Sequence, residues 1–270
     1  MQFAHINDIT LHYQVIGAAN DKPVLVFANS LGTDFRIWRD VIVRFAGDFA
    51  IVLYDKRGHG LSDIGDVPYS MDLHVSDLAG LLDLLSVKQA IVCGLSVGGL
   101  IAQGLYAARP DLLRALILCD TAHKIGTVES WDARIATVEQ SGIASIADSV
   151  LEKWFTPAFR RPENNAYHGY RNMLVRQPVT GYTGTCAAIR DADFTEAAKR
   201  IAVPTLCVVG DQDGSTPPDL VLSTAKLVPG ARYEVIRDAG HIPCVEQPEA
   251  LTAVLRAFID IVLSGEKGHE

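Results

Sequence analysis

The chain has 270 residues, 49% of them hydrophobic, and a formal charge of −8 at pH 7. That length suits one large α/β domain, or a domain carrying an insertion, with a sizeable core. The acidic balance and the lack of a Lys/Arg cluster exclude nucleic acid as a partner, and no apolar run reaches the ~18 residues that a membrane span requires.

The N-terminal stretch MQFAHINDIT lacks the basic start and apolar run of a secretion signal, so a soluble, cytoplasmic protein is expected. Residues 2–17 alternate around Asn7-Asp8 and predict a β-hairpin at an antiparallel sheet edge. Short apolar runs then follow at VLVFA (24–28), AIVLY (50–54), QAIVCG (89–94), ALILC (115–119), TLCVVG (205–210) and RYEVI (232–236). They alternate with stretches of helical period, the pattern of a mostly parallel sheet covered by helices. Between the second and third runs Met71, Val75, Leu78, Leu82 and Leu85 predict a sheet-covering helix with Ser70 as N-cap.

From about Thr121 to Ala198 the strand rhythm stops, and Trp131 and Trp154 lie among helical stretches. The expected organisation is a core of 1–121 and 199–270 with a helical cap, 122–198, inserted in it. The C-terminal SGEKGHE is expected to fray. Cys93, Cys119, Cys186, Cys207 and Cys244 are widely spaced, without a C-x-x-C pair or histidines at ligand spacing; they read as reduced thiols, and no metal site is expected.

Gly94-Leu95-Ser96-Val97-Gly98 fits G-x-S-x-G between a strand-like run and a helical one. That context is the strand–turn–helix that exposes a nucleophilic hydroxyl, although a serine at a helix start also serves as an ordinary cap. A serine needs a base, and the base needs a carboxylate to set its tautomer. In the order Ser, acid, His, the segments GDQDGSTPP (210–218) and DAGHIPCVEQPEAL (238–251) supply Asp213 and His241. Asp213 is preferred to Asp211 because it lies further into the loop, where a carboxylate reaches the histidine; an Asx-turn is the other use of either residue. The other histidines fall in the hairpin (His5, His12), an early loop (His59), a helix (His74), the insertion (His123, His168) and the tail (His269). Oxyanion donors are expected from the backbone N–H of Val97 and, in the loop NSLGTDFRIW, of Leu31. The loop DKRGHGLSD (55–63) is expected to support the fold rather than the chemistry.

Together NSLG (29–32), DKRGHGLSD, GLSVGG (94–99), GDQDGSTPP and AGH (239–241) make the chain resemble the α/β-hydrolase superfamily over essentially its whole length. Within it the chain is most similar to the 3-oxoadipate enol-lactonase family, through NSLGTDFRIW, DTAHKIGTVESWDARI, WFTPAFRRP and GYTGTCAAIRDADF. Asn29-Ser30 stands where many superfamily members have His-Gly, as it does in that family, and Ala122-His123-Lys124 departs modestly from the family stretch. The resemblance implies hydrolysis of a small-molecule lactone, 3-oxoadipate enol-lactone, to 3-oxoadipate in bacterial aromatic-acid catabolism. It implies no cofactor and no membrane, leaves a homo-oligomer open, and gives no room after Glu270 for the decarboxylase domain fused to some relatives. The substrate's carboxylate calls for a cation: Trp131 and Arg134, three residues apart on one helix, offer a wall and a clamp, or else a core tryptophan beside a solvated arginine. The same residues also suit a carboxylesterase, a cofactor-free perhydrolase, or a ligand receptor that has lost turnover. Ser96 disfavours a haloalkane dehalogenase, which uses Asp there.

Overall fold

A computed structural model describes residues 1–17 and 22–265. Its eight strands are β1 (Gln2–Ile6), β2 (Ile9–Ile16), β3 (Val24–Ala28), β4 (Ala50–Tyr54), β5 (Ala90–Leu95), β6 (Leu113–Cys119), β7 (Thr205–Gly210) and β8 (Arg232–Ile236). They form one sheet in the order β1-β2-β4-β3-β5-β6-β7-β8. β1 pairs β2, and β2 pairs β4, antiparallel, while every later pairing is parallel. This is the mostly parallel sheet that the strand rhythm pointed to, and the α/β-hydrolase fold that the resemblance implied.

Burial explains why those runs read so clearly. Every residue of β3, β4, β5 and β7 is buried, because helices cover both faces of the sheet and no strand position is left to water. The edge strands β1 and β8 are mostly exposed or half-buried. The Asn7-Asp8 hairpin is present, with Asn7 in the left-handed region at φ 53°. Two strands begin elsewhere than expected. β6 begins at Leu113, its apolar run interrupted by the half-buried Arg114, and β5 begins after Gln89, whose φ of 56° leaves the strand conformation.

The helix Met71–Leu84 buries Met71, Val75, Leu78, Leu81 and Leu82, and the Ser70 hydroxyl accepts the Leu73 N–H at 3.1 Å. On the C-terminal helix Pro248–Ser264, Leu251, Leu255, Phe258, Ile259 and Val262 face the core at helical spacing. Between β6 and β7 come the helices Val128–Ser141, Ala147–Trp154, Asn165–Val175, Val179–Asp191 and Thr195–Ala198, the first packed on the fourth. Among the described residues no helix is long and apolar enough to cross a membrane. The five cysteines are buried free thiols. Most of SGEKGHE (266–270), with His269, lies outside the described residues.

The topology decides where a site can form. β3, β5, β6, β7 and β8 are consecutive neighbours, so the loops leaving their carboxyl ends converge on one rim. The chain order reverses between β3 and β5, and crevices in open parallel sheets open at such a reversal.

Candidate active site

Ser96 follows β5 directly and begins the helix Val97–Ala108 with φ 58° and ψ −119°. Such a backbone is strained for a residue with a side chain, and the surroundings hold it. The Ser96 N–H donates to Cys119 O at 3.0 Å, and Thr121 Oγ1 donates to Ser96 O at 2.7 Å, which ties the turn to β6. Glycine is required on either side: a Cβ on Gly94 would lie 2.2 Å from Gly98 O, and one on Gly98 would lie 2.2 Å from Ala28 O. Ser96 is therefore not an ordinary N-cap, since its side chain caps nothing and faces a cavity. Its hydroxyl makes no hydrogen bond to another described residue.

The cavity, about 160 Å³, brings Ser96 together with Leu31, Trp131, Arg134 and His241. His241 is held by its own N–H, which donates to Trp154 O at 2.8 Å, and by Nδ1, 2.9 Å from Asp213 Oδ2. Both side chains are almost completely buried. Asp213 Oδ1 accepts from Ser215 N at 2.7 Å and Thr216 N at 3.0 Å, while Oδ2 also accepts from Thr216 Oγ1 at 2.7 Å. An imidazole that donates Nδ1–H to this carboxylate keeps Nε2 as its acceptor. Asp211 does something else: its Oδ1 accepts the Ala239 N–H at 3.3 Å and steadies the loop before His241.

Val97 N, at the first position of its helix, and Leu31 N donate to no group among the described residues. The loop DKRGHGLSD supports the fold, as expected, but it does so directly beneath the Leu31 turn. His59 Nε2 accepts the Gly32 N–H at 3.0 Å. Lys56 Nζ donates to Ser30 O at 2.6 Å and reaches Asn29 O at 3.4 Å and Thr33 O at 3.5 Å. Asn29 Nδ2 closes the turn onto Thr33 O. Complete burial pushes the Lys56 ammonium down to about 7 against the pull of Asp55 and Asp34. Burial and the charge of Lys56 hold His59 well below the usual imidazole range, which keeps its Nε2 an acceptor.

Arg134 lies 4.8 Å over the Trp131 ring, and the Trp131 indole N–H donates to Ile125 O at 2.7 Å. Among the described residues Arg134 has no ion-pair partner, and no Asp or Glu lines the cavity. Lys153 and the buried Tyr182 hydroxyl, which interacts with the Arg134 guanidinium, also face it. Neither these two nor Lys56 and His59 had a sequence signal, because each acts on a segment distant in the chain. A wider groove of about 740 Å³, lined by His12, Asp34, Arg36, Tyr170, Met173 and Arg176 among others, contains none of the Ser96 group.

A parallel sheet with a serine on a strained strand-to-helix turn, facing a histidine paired with an aspartate, defines an α/β hydrolase. The comparisons agree. Residues 22–254 match the model of an alpha/beta hydrolase family, and the chain belongs to that family and is a hydrolase. It is 35% identical to 3-oxoadipate enol-lactonase 2 of Acinetobacter baylyi over 93% of this chain and 94% of that protein. It is also similar to the crystal structure of the enol-lactonase from Burkholderia xenovorans, with TM-score 0.92 and 34% identity over 96% of this chain and 100% of that one. A thermophilic esterase from Thermogutta terrifontis, solved with malate bound, has TM-score 0.87 and 28% identity, covering 94% of each chain.

Proposed function

We propose that this hydrolase opens 3-oxoadipate enol-lactone to 3-oxoadipate through a Ser96–His241–Asp213 acyl-enzyme mechanism. One observation carries the reading: the Ser96 cavity holds Arg134, without an ion-pair partner among the described residues, and no carboxylate, in a chain 35% identical to an enol-lactonase over 93% of its length. Such a cavity favours a small anionic ester over a neutral one.

In this mechanism His241 Nε2 takes the Ser96 proton as Oγ attacks the lactone carbonyl carbon. The tetrahedral oxyanion sits between the N–H groups of Leu31 and Val97. Collapse breaks the ring C–O bond, and the enolate oxygen that leaves takes the proton from His241; the enol then becomes the ketone. Water, deprotonated by His241, attacks the acyl carbon and frees the product carboxylate and Ser96. Asp213 keeps Nδ1 protonated and stabilises the imidazolium. Trp131 and Arg134 come from the helical segment and Ser96 and His241 from the sheet rim, which supports reading 122–198 as a cap over a core of 1–121 and 199–270.

The deciding experiment follows the ultraviolet decay of freshly generated 3-oxoadipate enol-lactone beside a neutral aryl ester. Lactone turnover well above ester turnover is expected, and ester turnover alone would make the protein a general esterase. Arg134→Ala should raise KM for the charged lactone about 10- to 100-fold, the worth of a charged hydrogen bond. KM for the neutral ester should hardly move, and equal effects on both would remove the anchoring role.

A further inference from the structure

Asp120 is a buried titratable group beside the His241–Asp213 pair that this mechanism leaves unused. It directly follows β6, is fully buried, and sits in the left-handed region at φ 45°. Its N–H donates to Val208 O at 2.8 Å, and its Oδ1 accepts the Gly210 N–H at 2.8 Å, so it is fixed against β7 from both ends. Its Oδ2 is buried with no hydrogen-bond partner of standard geometry. One side-chain ligand atom from each of Asp120, Asp213 and His241 lies within 4.8 Å of the others. The arrangement is not a metal cage: Asp213 Oδ2 and His241 Nδ1 already bond each other, and Thr216 Oγ1 donates to the same oxygen.

We infer that Asp120 is a second carboxyl group coupled to the His241–Asp213 pair, neutral while Asp213 carries the charge and able to replace it as the partner of His241. The inference rests on the proposed roles of His241 and Asp213. Two carboxylates this close do not both ionise, and the distribution of donors decides which one does. Asp213 accepts from two backbone N–H groups, the Thr216 hydroxyl and the imidazole, whereas Asp120 accepts from Gly210 alone. Burial, then the charge of Asp213, then Cys119 push the Asp120 carboxyl well above the usual range. The neutral acid keeps a proton on the orphan oxygen of the cluster. When Asp213 loses its charge, Asp120 releases that proton to water, and its carboxylate becomes the negative partner of the imidazole.

The test compares kcat/KM for Asp120→Asn, Asp213→Asn and the double variant, on whichever ester wild type turns over. In the wild-type background Asp120→Asn should cost less than about tenfold, since Asn is also neutral and can donate. Asp213→Asn should keep about 100-fold more activity than the double variant, which falls to the roughly 10⁴-fold loss of a triad without its acid. The same factor for Asp120→Asn in both backgrounds would overturn the proposal and leave Asp120 a structural residue. Should the double variant fail to fold, the low-field NMR signal of the His241 Nδ1 proton in Asp213→Asn decides alone: persistence supports Asp120 as partner, and loss overturns it. Failure of the serine-hydrolase reading would show separately, as undiminished turnover by Ser96→Ala.

Discussion

Ser96→Ala is expected to lower kcat/KM on the preferred ester by on the order of 10⁶-fold, the size seen when one member of such a unit is removed. The reason is local. The turn at φ 58° presents Oγ to the cavity that His241 also lines, and alanine in its place carries no nucleophile. Because the hydroxyl and the base act only together, His241→Ala and the double variant should show nearly the same loss as Ser96→Ala. Kinetics on the three variants, with a fluorophosphonate adduct mapped by mass spectrometry to the peptide containing Ser96, would check this. A Ser96→Ala enzyme retaining a hundredth of wild-type activity, or multiplicative losses in the double variant, would exclude the acyl-enzyme mechanism.

Lys56→Met should give the next largest effect, in catalysis and in stability together. The ammonium holds three carbonyl oxygens of the turn that presents Leu31, and without it Ser30 O keeps only donors from Thr33. A displaced Leu31 N–H amounts to losing one oxyanion donor, so kcat should fall about 10²- to 10³-fold with KM nearly unchanged. A larger rise in KM than fall in kcat would place the role of Lys56 elsewhere. The buried acceptors left short of a donor should cost about 2 kcal/mol in denaturant unfolding.

The pH dependence of stability gives a separate check. In the folded chain Lys56 titrates near 7, against 10.5 for an ordinary lysine, so above pH 7 the unfolded state binds more protons. Through Lys56 stability should therefore rise with pH, by roughly 1 kcal/mol per unit between about 7 and 8.5, against an opposite slope from Asp120, which stays protonated in the folded chain and is ionised in the unfolded one. Above that window the buried thiols of Cys119 and Cys244, whose ionisation is pushed up by the surroundings, add to the opposing slope. Lys56→Met should lower the slope of stability against pH between 7 and 8.5 by about that 1 kcal/mol per unit, and an unchanged slope would show that Lys56 does not titrate there.

What could be read from the sequence was local in origin. Strands buried on both faces appear as nearly unbroken apolar runs, which is why VLVFA, AIVLY and TLCVVG coincide with β3, β4 and β7 to the residue. The Ser96 turn was legible for a similar reason, since Gly94 and Gly98 leave no space for a Cβ and so mark the turn in the primary structure. Sequence also supplied the order Ser96, Asp213, His241, because each follows a recognisable strand.

Only the assembled sheet decided the rest. Asp211 and Asp213 are two residues apart and chemically identical; the 2.9 Å approach of Asp213 to His241 and the bond of Asp211 to Ala239 separate them. That Arg134 lines the Ser96 cavity, in a wall without carboxylates, is a property of helices that meet the sheet rim from elsewhere in the chain. Lys56, His59 and Asp120 looked like loop and strand-end residues, yet each is fully buried and bonded to a turn or strand far along the chain. Periodicity and spacing report which face of an element is buried. The partner of a buried charge depends on which loops β3, β5, β6, β7 and β8 bring to one rim, and that is set by strand order.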